Sequence, residues 1–108
     1  MGKGRRHYAP KVDANQDEIV RALRGVGCSV ALLHGVGKGV PDLLVGRDRQ
    51  TMLIEVKDGS KPPSARRLTP DQVEWWDTWR GAMPIVVTSV EEALAVVGVG
   101  IHGGKTDE

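Results

Sequence analysis

The pattern of apolar and polar positions along the chain predicts seven elements. Apolar residues at helical spacing, such as Ile19, Leu23 and Val26, indicate an amphipathic helix, whereas short apolar runs between Gly, Pro and polar residues indicate strands. The predicted helices cover 13–27, 69–82 and 89–98, and the predicted strands cover 28–34, 42–47, 51–57 and 84–89. The order αβββαβα predicts an α/β fold with a central mixed β-sheet flanked by helices. The apolar run at 28–34 predicts a buried strand.

Each predicted helix begins with a polar residue that can accept a hydrogen bond from the first helical turn. The pairs that resemble a capping box are Asp13 with Gln16, Thr69 with Gln72, and Ser89 with Glu92. Pro70 follows Thr69 at the first helical position, where proline is favoured. These signals give the helices defined starts.

Length and composition point to one intracellular domain. The chain has 108 residues and one cysteine, Cys28, which excludes an internal disulfide and suits a reducing compartment. We expect a basic, flexible arm at 1–12, a single domain at 13–98 and a short tail at 99–108. No apolar run approaches the roughly 20 residues that a membrane span needs, and no signal peptide is recognisable. We therefore expect a cytoplasmic protein with no membrane contact.

The net charge is only +1, but the basic residues are concentrated before residue 68. Lys and Arg cluster in "GKGRRHYAPK" at the start and in "KDGSKPPSARR" at 57–67. Such clusters favour a polyanionic partner, although a solvated tail and loop explain them equally well. The candidate phosphate contacts are Arg5, Arg6, Lys38, Lys61, Arg66 and Arg67.

Three charged residues interrupt the apolar strands at 42–57. The connection between these strands is too short for a crossover, so they should form an antiparallel hairpin. A two-residue turn at Asp48-Arg49 would set Asp42 opposite Glu55, with Cβ atoms roughly 4.5–5.5 Å apart. The two-residue period of a strand puts Lys57 on the same face as Glu55. A longer turn would shift the register but keep the three groups close.

Two carboxylates at that distance repel each other unless a proton or a cation lies between them. Mg²⁺ is commonly held by one or two carboxylates together with substrate phosphate and water. A neighbouring lysine can contact the phosphate or hold the attacking water. The pattern therefore suits phosphodiester hydrolysis, while an ordinary ion-pair ladder between Lys57 and either carboxylate remains open.

With "PD" at 41–42 and "EVK" at 55–57, the chain resembles the PD-(D/E)xK nucleases. More closely, it resembles the VRR-NUC domains in the compact stand-alone form of bacteriophages. The resemblance covers roughly residues 13 to 97. The matching stretches are "NQDEIVRALRGVG", "LLHGVGKGVPDLLVG", "LIEVKDGSKPPSARRLTPDQ" and "GAMPIVVTSVEEAL".

The resemblance implies a restriction-endonuclease-like fold and a Mg²⁺- or Mn²⁺-dependent DNA endonuclease. It implies that Asp42, Glu55 and the backbone carbonyl of Val56 bind the metal, and that Lys57 is the catalytic lysine. It also implies that Glu18 binds the metal, through water or with a second ion, although by spacing alone a solvated helix residue is the simpler interpretation.

Stand-alone members of that family are associated with homodimers that cut branched DNA such as four-way (Holliday) junctions. A phage-encoded member would act in the host cytoplasm. The family places a glutamine near the scissile phosphate, which Gln72 matches, whereas the capping box explains the same residue structurally. A non-catalytic nucleic-acid-binding module on the same fold remains the alternative function.

Two further features have simpler explanations. The loop "GVGKG" at 35–39 departs from a P-loop, because Leu32 stands where the first glycine is needed and Gly39 follows the lysine. No nucleotide cofactor is therefore expected. Trp75, Trp76 and Trp79 could stack on bases, but in a chain without Phe they are expected to supply core bulk.

Overall fold

A computed structural model describes residues 13–99, and these form the predicted element order. The helices are α1 (Gln16–Gly25), α2 (Pro70–Thr78) and α3 (Val90–Val96). The strands are β1 (Ser29–Leu32), β2 (Leu43–Arg47), β3 (Gln50–Val56) and β4 (Ile85–Val87), and a 3-10 helix covers Pro63–Arg66. The predicted basic arm at 1–12 lies outside the described residues, as does all of the predicted tail beyond residue 99.

The four strands form one mixed sheet in the order β1-β2-β3-β4. The first two pairs are antiparallel and β3 pairs with β4 in parallel, as a crossover through α2 requires. This small α/β architecture, with three helices flanking a mixed sheet, is compatible with a restriction-endonuclease-like fold.

The hairpin register between β2 and β3 is confirmed. Arg47 pairs with Gln50 and Leu43 pairs with Ile54, so the turn consists of Asp48 and Arg49. Both turn residues have positive φ, 51° at Asp48 and 66° at Arg49, which matches the type I′ turn that suits the twist of a hairpin. This turn fixes which side chains of the two strands face each other.

The core lies between α1, α3 and one face of the sheet. The buried apolar residues with no exposed area are Ile19, Leu23, Leu43, Val45, Ile54, Val56, Val87 and Ala93. Their spacing of three to four on α1 and of two on β2 and β3 is the pattern from which these elements were predicted. Cys28 is also buried in this cluster, and burial raises the pKa of its thiol.

The prediction of a buried first strand was wrong. Ser29, Ala31 and Leu32 are exposed, and Leu32 keeps 49% of its surface accessible. The reason is the position of β1 at the sheet edge, where a run of apolar residues has a neighbour on one side only. Sequence composition does not reveal which strand will be the edge.

The start of α1 also differs from the prediction. Asn15, not Asp13, is the N-cap residue, and its side chain makes no capping hydrogen bond. The capping box of α2 is confirmed in full. At α3 the Ser89 side chain accepts from Glu92 N, but the Glu92 carboxylate accepts from Thr88 N rather than from Ser89 N.

The tryptophans do not supply core bulk, so that prediction was wrong. No residue of α2 is buried, and Trp79, which follows the helix, is 40% exposed. Trp75 and Trp79 stack on each other with ring centroids 4.5 Å apart, and Trp79 Nε1 donates to the Ala82 carbonyl. These two rings therefore stack on each other at the end of α2 and are not part of the buried core. Within residues 13–99, no helix has the length and apolar character to cross a bilayer.

Candidate active site

The site forms where β2 begins and β3 ends. Asp42 directly precedes β2, and the hairpin register extended by one residue sets it across from Glu55. Asp42 Oδ2 accepts a hydrogen bond of 2.9 Å from Val56 N, which fixes the carboxylate beside β3. Lys57 follows β3, and its backbone N–H donates to the Val87 carbonyl of β4. The sheet backbone therefore brings the three charged residues together, as predicted.

Two of these charged residues are almost fully buried. Glu55 is 3% exposed and Lys57 is 8% exposed, while Asp42 is partly buried. Lys57 Nζ lies 3.5 Å from Glu55 Oε2. Burial of charges is costly unless they are paired and hydrogen-bonded. A surface ion-pair ladder, the simpler interpretation of the sequence, does not fit this degree of burial.

Gln72 connects the two buried charges to α2. Its Nε2 donates to Glu55 Oε2 at 2.8 Å, and its Oε1 accepts from Lys57 Nζ at 2.9 Å. The same Oε1 accepts from Thr69 N, while the Thr69 hydroxyl accepts from Gln72 N. Gln72 is therefore both the capping-box residue and a site residue. The two interpretations that the sequence left open are compatible.

The two carboxyl groups resist ionisation. Burial, and next the nearby Asp42 carboxylate, raise the pKa of Glu55 to about 7. Burial also raises the pKa of Asp42, against the hydrogen bond from Val56 N that favours its charged form. Without a cation the pair therefore carries less than two negative charges near neutral pH.

One buried oxygen of the pair has no hydrogen-bond partner. Glu55 Oε1 is buried and makes no hydrogen bond, whereas Oε2 accepts from Gln72. An unsatisfied buried carboxylate oxygen beside a second carboxylate is an acceptor that a hard divalent cation would satisfy. The residues therefore fit Mg²⁺ or Mn²⁺. Across 13–99, however, no three His, Cys, Asp or Glu side chains lie close enough together to hold a metal, so other oxygens must complete the coordination.

Glu18 lies apart from the two carboxylates. It is exposed on α1 and lines an open cleft with Asn15, Asp58 and Ser60. The structure does not bring it into a three-carboxylate cluster with Asp42 and Glu55. Its role through water or with a second ion stays a prediction, as does the role of the Val56 carbonyl.

Sequence reasoning missed two residues beside the site. Asn15 Nδ2 donates to the carbonyls of Lys57 and Thr88, each at 3.1 Å, and so ties the start of α1 to β3 and β4. Asp13, taken from the sequence as a helix cap, lies near enough to Asp42 for its charge to raise the pKa of Asp42. Neither residue has a sequence signal that distinguishes it from an ordinary polar residue at a helix start.

Gln16, which the sequence suggested only as a capping-box residue, is a buried polar residue of α1. It is 3% exposed, its Nε2 lies 3.5 Å from His34 Nδ1, and its Oε1 has no hydrogen-bond partner. The sequence offered one signal, a glutamine one turn before the apolar positions Val20 and Leu23 on the buried face of α1.

The candidate phosphate contacts are mostly on the surface. Lys38, Lys61 and Arg67 are exposed, and Arg66 is partly buried at the end of the 3-10 helix. Arg5 and Arg6 lie outside the described residues. The structure therefore leaves three of the predicted basic side chains free to contact a large anionic partner.

Comparison of the chain with protein-family models, with curated proteins and with solved structures finds no match. The functional interpretation of the site consequently depends on its own geometry and chemistry.

Proposed function

We propose that the protein is a Mg²⁺- or Mn²⁺-dependent DNA endonuclease. The observation that carries the proposal is the buried pair of Glu55 and Lys57 beside the partly buried Asp42, in which Glu55 Oε1 has no hydrogen-bond partner. Structure alone gives little reason to bury Glu55 beside a second carboxylate that raises its pKa. Perturbed acidic groups clustered with a buried lysine are typical of catalytic sites.

The residues have distinct roles in this proposal. Asp42, Glu55 and the Val56 carbonyl would hold the cation, which would supply the positive charge that activates water and polarises the phosphate. Lys57 donates hydrogen bonds to the attacking water or to a phosphate oxygen. Gln72 holds Glu55 and Lys57 in place through the two hydrogen bonds of its amide. In-line attack of water would form a new P–O bond as the bond from phosphorus to the 3′-oxygen breaks, with a proton passing from the water to the 3′-oxygen, so the products would be a 5′-phosphate and a 3′-hydroxyl.

DNA is the proposed substrate because three exposed basic residues lie within five positions along the chain of Asp42, Lys57 or Gln72. Lys38, Lys61 and Arg67 can contact phosphates without further rearrangement of the fold. A preference for branched DNA, such as a four-way junction, is also proposed, because the chain resembles VRR-NUC domains. We also propose that the protein acts in the cytoplasm, where Cys28 would stay reduced.

A homodimer is also proposed. Large apolar side chains are exposed beside α2 and on the sheet, among them Trp79 at 40%, Met83 at 53%, Leu44 at 38% and Val86 at 39%. Exposed apolar area of this kind often marks a protein interface. A second copy of the chain would allow two DNA strands to be engaged together.

Cation-dependent cleavage of a labelled four-way junction tests the main proposal. We expect cleavage with Mg²⁺ or Mn²⁺ and none with EDTA. Asp42→Asn and Lys57→Ala should lose cleavage by orders of magnitude, as is usual for such groups. Because Lys57→Ala leaves Glu55 without its ion-pair partner, cleavage is measured at a temperature at which circular dichroism shows each variant to be folded. Asp77→Asn, the same substitution at an exposed carboxylate of α2, is the matched control and should cleave as the wild type does.

Measurement of binding to the same DNA distinguishes a nuclease from a non-catalytic nucleic-acid-binding module. If the junction is bound equally with Mg²⁺ and EDTA and stays intact in both, the protein is a nucleic-acid-binding module. Equal turnover by Lys57→Ala and the wild type would exclude the proposed role of Lys57.

Sedimentation velocity over a range of protein concentrations tests the dimer. Leu44→Asp places a charge on the exposed apolar surface and should shift the protein towards monomer. Val36→Asp, at a 60% exposed position in the glycine-rich loop, is the control and should leave the oligomeric state unchanged. Identical monomeric sedimentation of all three proteins would remove the dimer from the proposal.

A further inference from the structure

The glycine-rich loop before Asp42 contacts the first turn of α2 at Gly39. Gly39 has a φ of +83°, in the left-handed region that favours glycine. A Cβ at this position would overlap the Asp71 carbonyl group and would lie 2.9 Å from Gln72 N. The Cα of Gly39 therefore packs directly against the peptide bond that joins Asp71 to Gln72.

This contact involves the peptide bond between Asp71 and Gln72, so it affects where the Gln72 side chain lies. Gln72 is the third residue of α2, and its amide bonds both Glu55 and Lys57. No residue of α2 is buried, so the core does not hold this helix. Trp75 and Trp76 of α2 are only half-buried, so the contacts of the first turn contribute to the position of α2 near the site.

We propose that Gly39 is a positioning residue that acts through Gln72. Its missing side chain lets the loop before Asp42 and the start of α2 approach within backbone contact, and this sets the distance from the Gln72 amide to Glu55 and Lys57. The effect on cleavage rests on the proposed nuclease function, but the effect on the position of Gln72 does not.

The glycine two positions earlier supplies a matched control. Gly37 lies in the same loop with a similar φ of +75°, but a Cβ there would meet no atom within 4 Å. Gly37→Ala and Gly39→Ala therefore introduce a comparable backbone strain, and only Gly39→Ala pushes on α2. A difference between the two variants reports the contact rather than the loss of a glycine.

The first measurement does not need activity. The tryptophans at 75, 76 and 79 all lie on or directly after α2, so their fluorescence reports the environment of this helix. The side-chain amide resonance of Gln72 in a ¹⁵N spectrum reports its hydrogen bond to Glu55. We expect Gly39→Ala to change both signals, with the amide resonance moving towards that of an exposed glutamine, and Gly37→Ala to change neither.

The second measurement is a double-mutant cycle on cleavage. Groups that hold metal ligands typically contribute about 10–100-fold to activity, and we expect a loss of this order for Gly39→Ala and for Gln72→Ala. The double variant should lose no more cleavage activity than the more impaired single variant. Both changes act on the same amide, because Gly39→Ala displaces it and Gln72→Ala removes it. If the fold-loss of the double variant equals the product of the two single fold-losses, Gly39 acts independently of Gln72 and the proposal is overturned.

A measurement on the wild type covers the case in which Gly39→Ala does not fold. A nuclear Overhauser effect between the Gly39 α-protons and the Gln72 backbone amide proton is expected from the close approach of these residues. Its absence in the folded wild type would refute the contact. If the contact signals are as expected but the wild type cleaves no DNA with any cation, the nuclease proposal fails and the positioning role of Gly39 stands.

Discussion

Replacement of Glu55 by glutamine should stabilise the metal-free protein at pH 8. Burial and the Asp42 carboxylate raise the pKa of Glu55 from an ordinary 4.5 to about 7. In the wild type, ionisation of Glu55 is therefore harder in the folded than in the unfolded chain. Glutamine is a neutral substitute of nearly the same shape, and its amide can donate to Asp42 while its carbonyl accepts from Gln72.

The sign and size of the effect follow from the two pKa values. A group whose pKa is raised by folding contributes its full stability below its unfolded pKa and loses it as the pH rises through the folded pKa. The wild type should thus lose stability between about pH 4.5 and pH 7. The shift of roughly 2.5 units corresponds to about 3 kcal/mol, so Glu55→Gln should exceed the wild type by up to about 3 kcal/mol at pH 8 and by little at pH 5.

The assay is urea unfolding followed by circular dichroism at pH 5, 6, 7 and 8, with EDTA or with Mn²⁺. Mn²⁺ at about 100 times its dissociation constant should stabilise the wild type by about 2.7 kcal/mol at pH 8 and should have little effect on Glu55→Gln. Glu74→Gln, at an exposed position of α2, is the control and should follow the wild type in each condition.

Two results would refute this reasoning. Parallel pH profiles for the wild type and Glu55→Gln in EDTA would show that Glu55 ionises without a folding cost. Equal stabilisation of both proteins by Mn²⁺ would show that the cation binds elsewhere.

Three further predictions concern the fold and are tested by urea unfolding. Leu23→Ala in the fully buried core should cost about 2–5 kcal/mol, and a cost below 1 kcal/mol would contradict the assigned core. Thr69→Ala removes the hydroxyl that accepts from Gln72 N and should cost about 1 kcal/mol, whereas an unchanged midpoint would mean that the cap contributes nothing. Replacement of Asp48-Arg49 by Asn-Gly relieves two positive-φ residues and should stabilise the hairpin by about 1–2 kcal/mol; a loss of stability would contradict the assigned turn.

The sequence by itself determined the elements whose signals are local. The two-residue hairpin turn, the register that faces Asp42 with Glu55 and the capping box at Thr69 were all predictable, because each depends on residues within one hairpin or one helical turn. The same local geometry placed Lys57 beside Glu55. The identification of the site as a nuclease centre came from these residues and their resemblance to a known pattern, and it remains a proposal.

Only the tertiary structure decided how distant elements meet the site. The amide of Gln72 reaches Glu55 because the first turn of α2 packs on Gly39, and no short-range pattern encodes that contact. The exposure of β1 and of Trp79 likewise followed from which strand became the edge and which helix stayed outside the core. Periodicity records which residues share a face of an element, but the choice of what covers that face is made by packing between elements far apart in the chain.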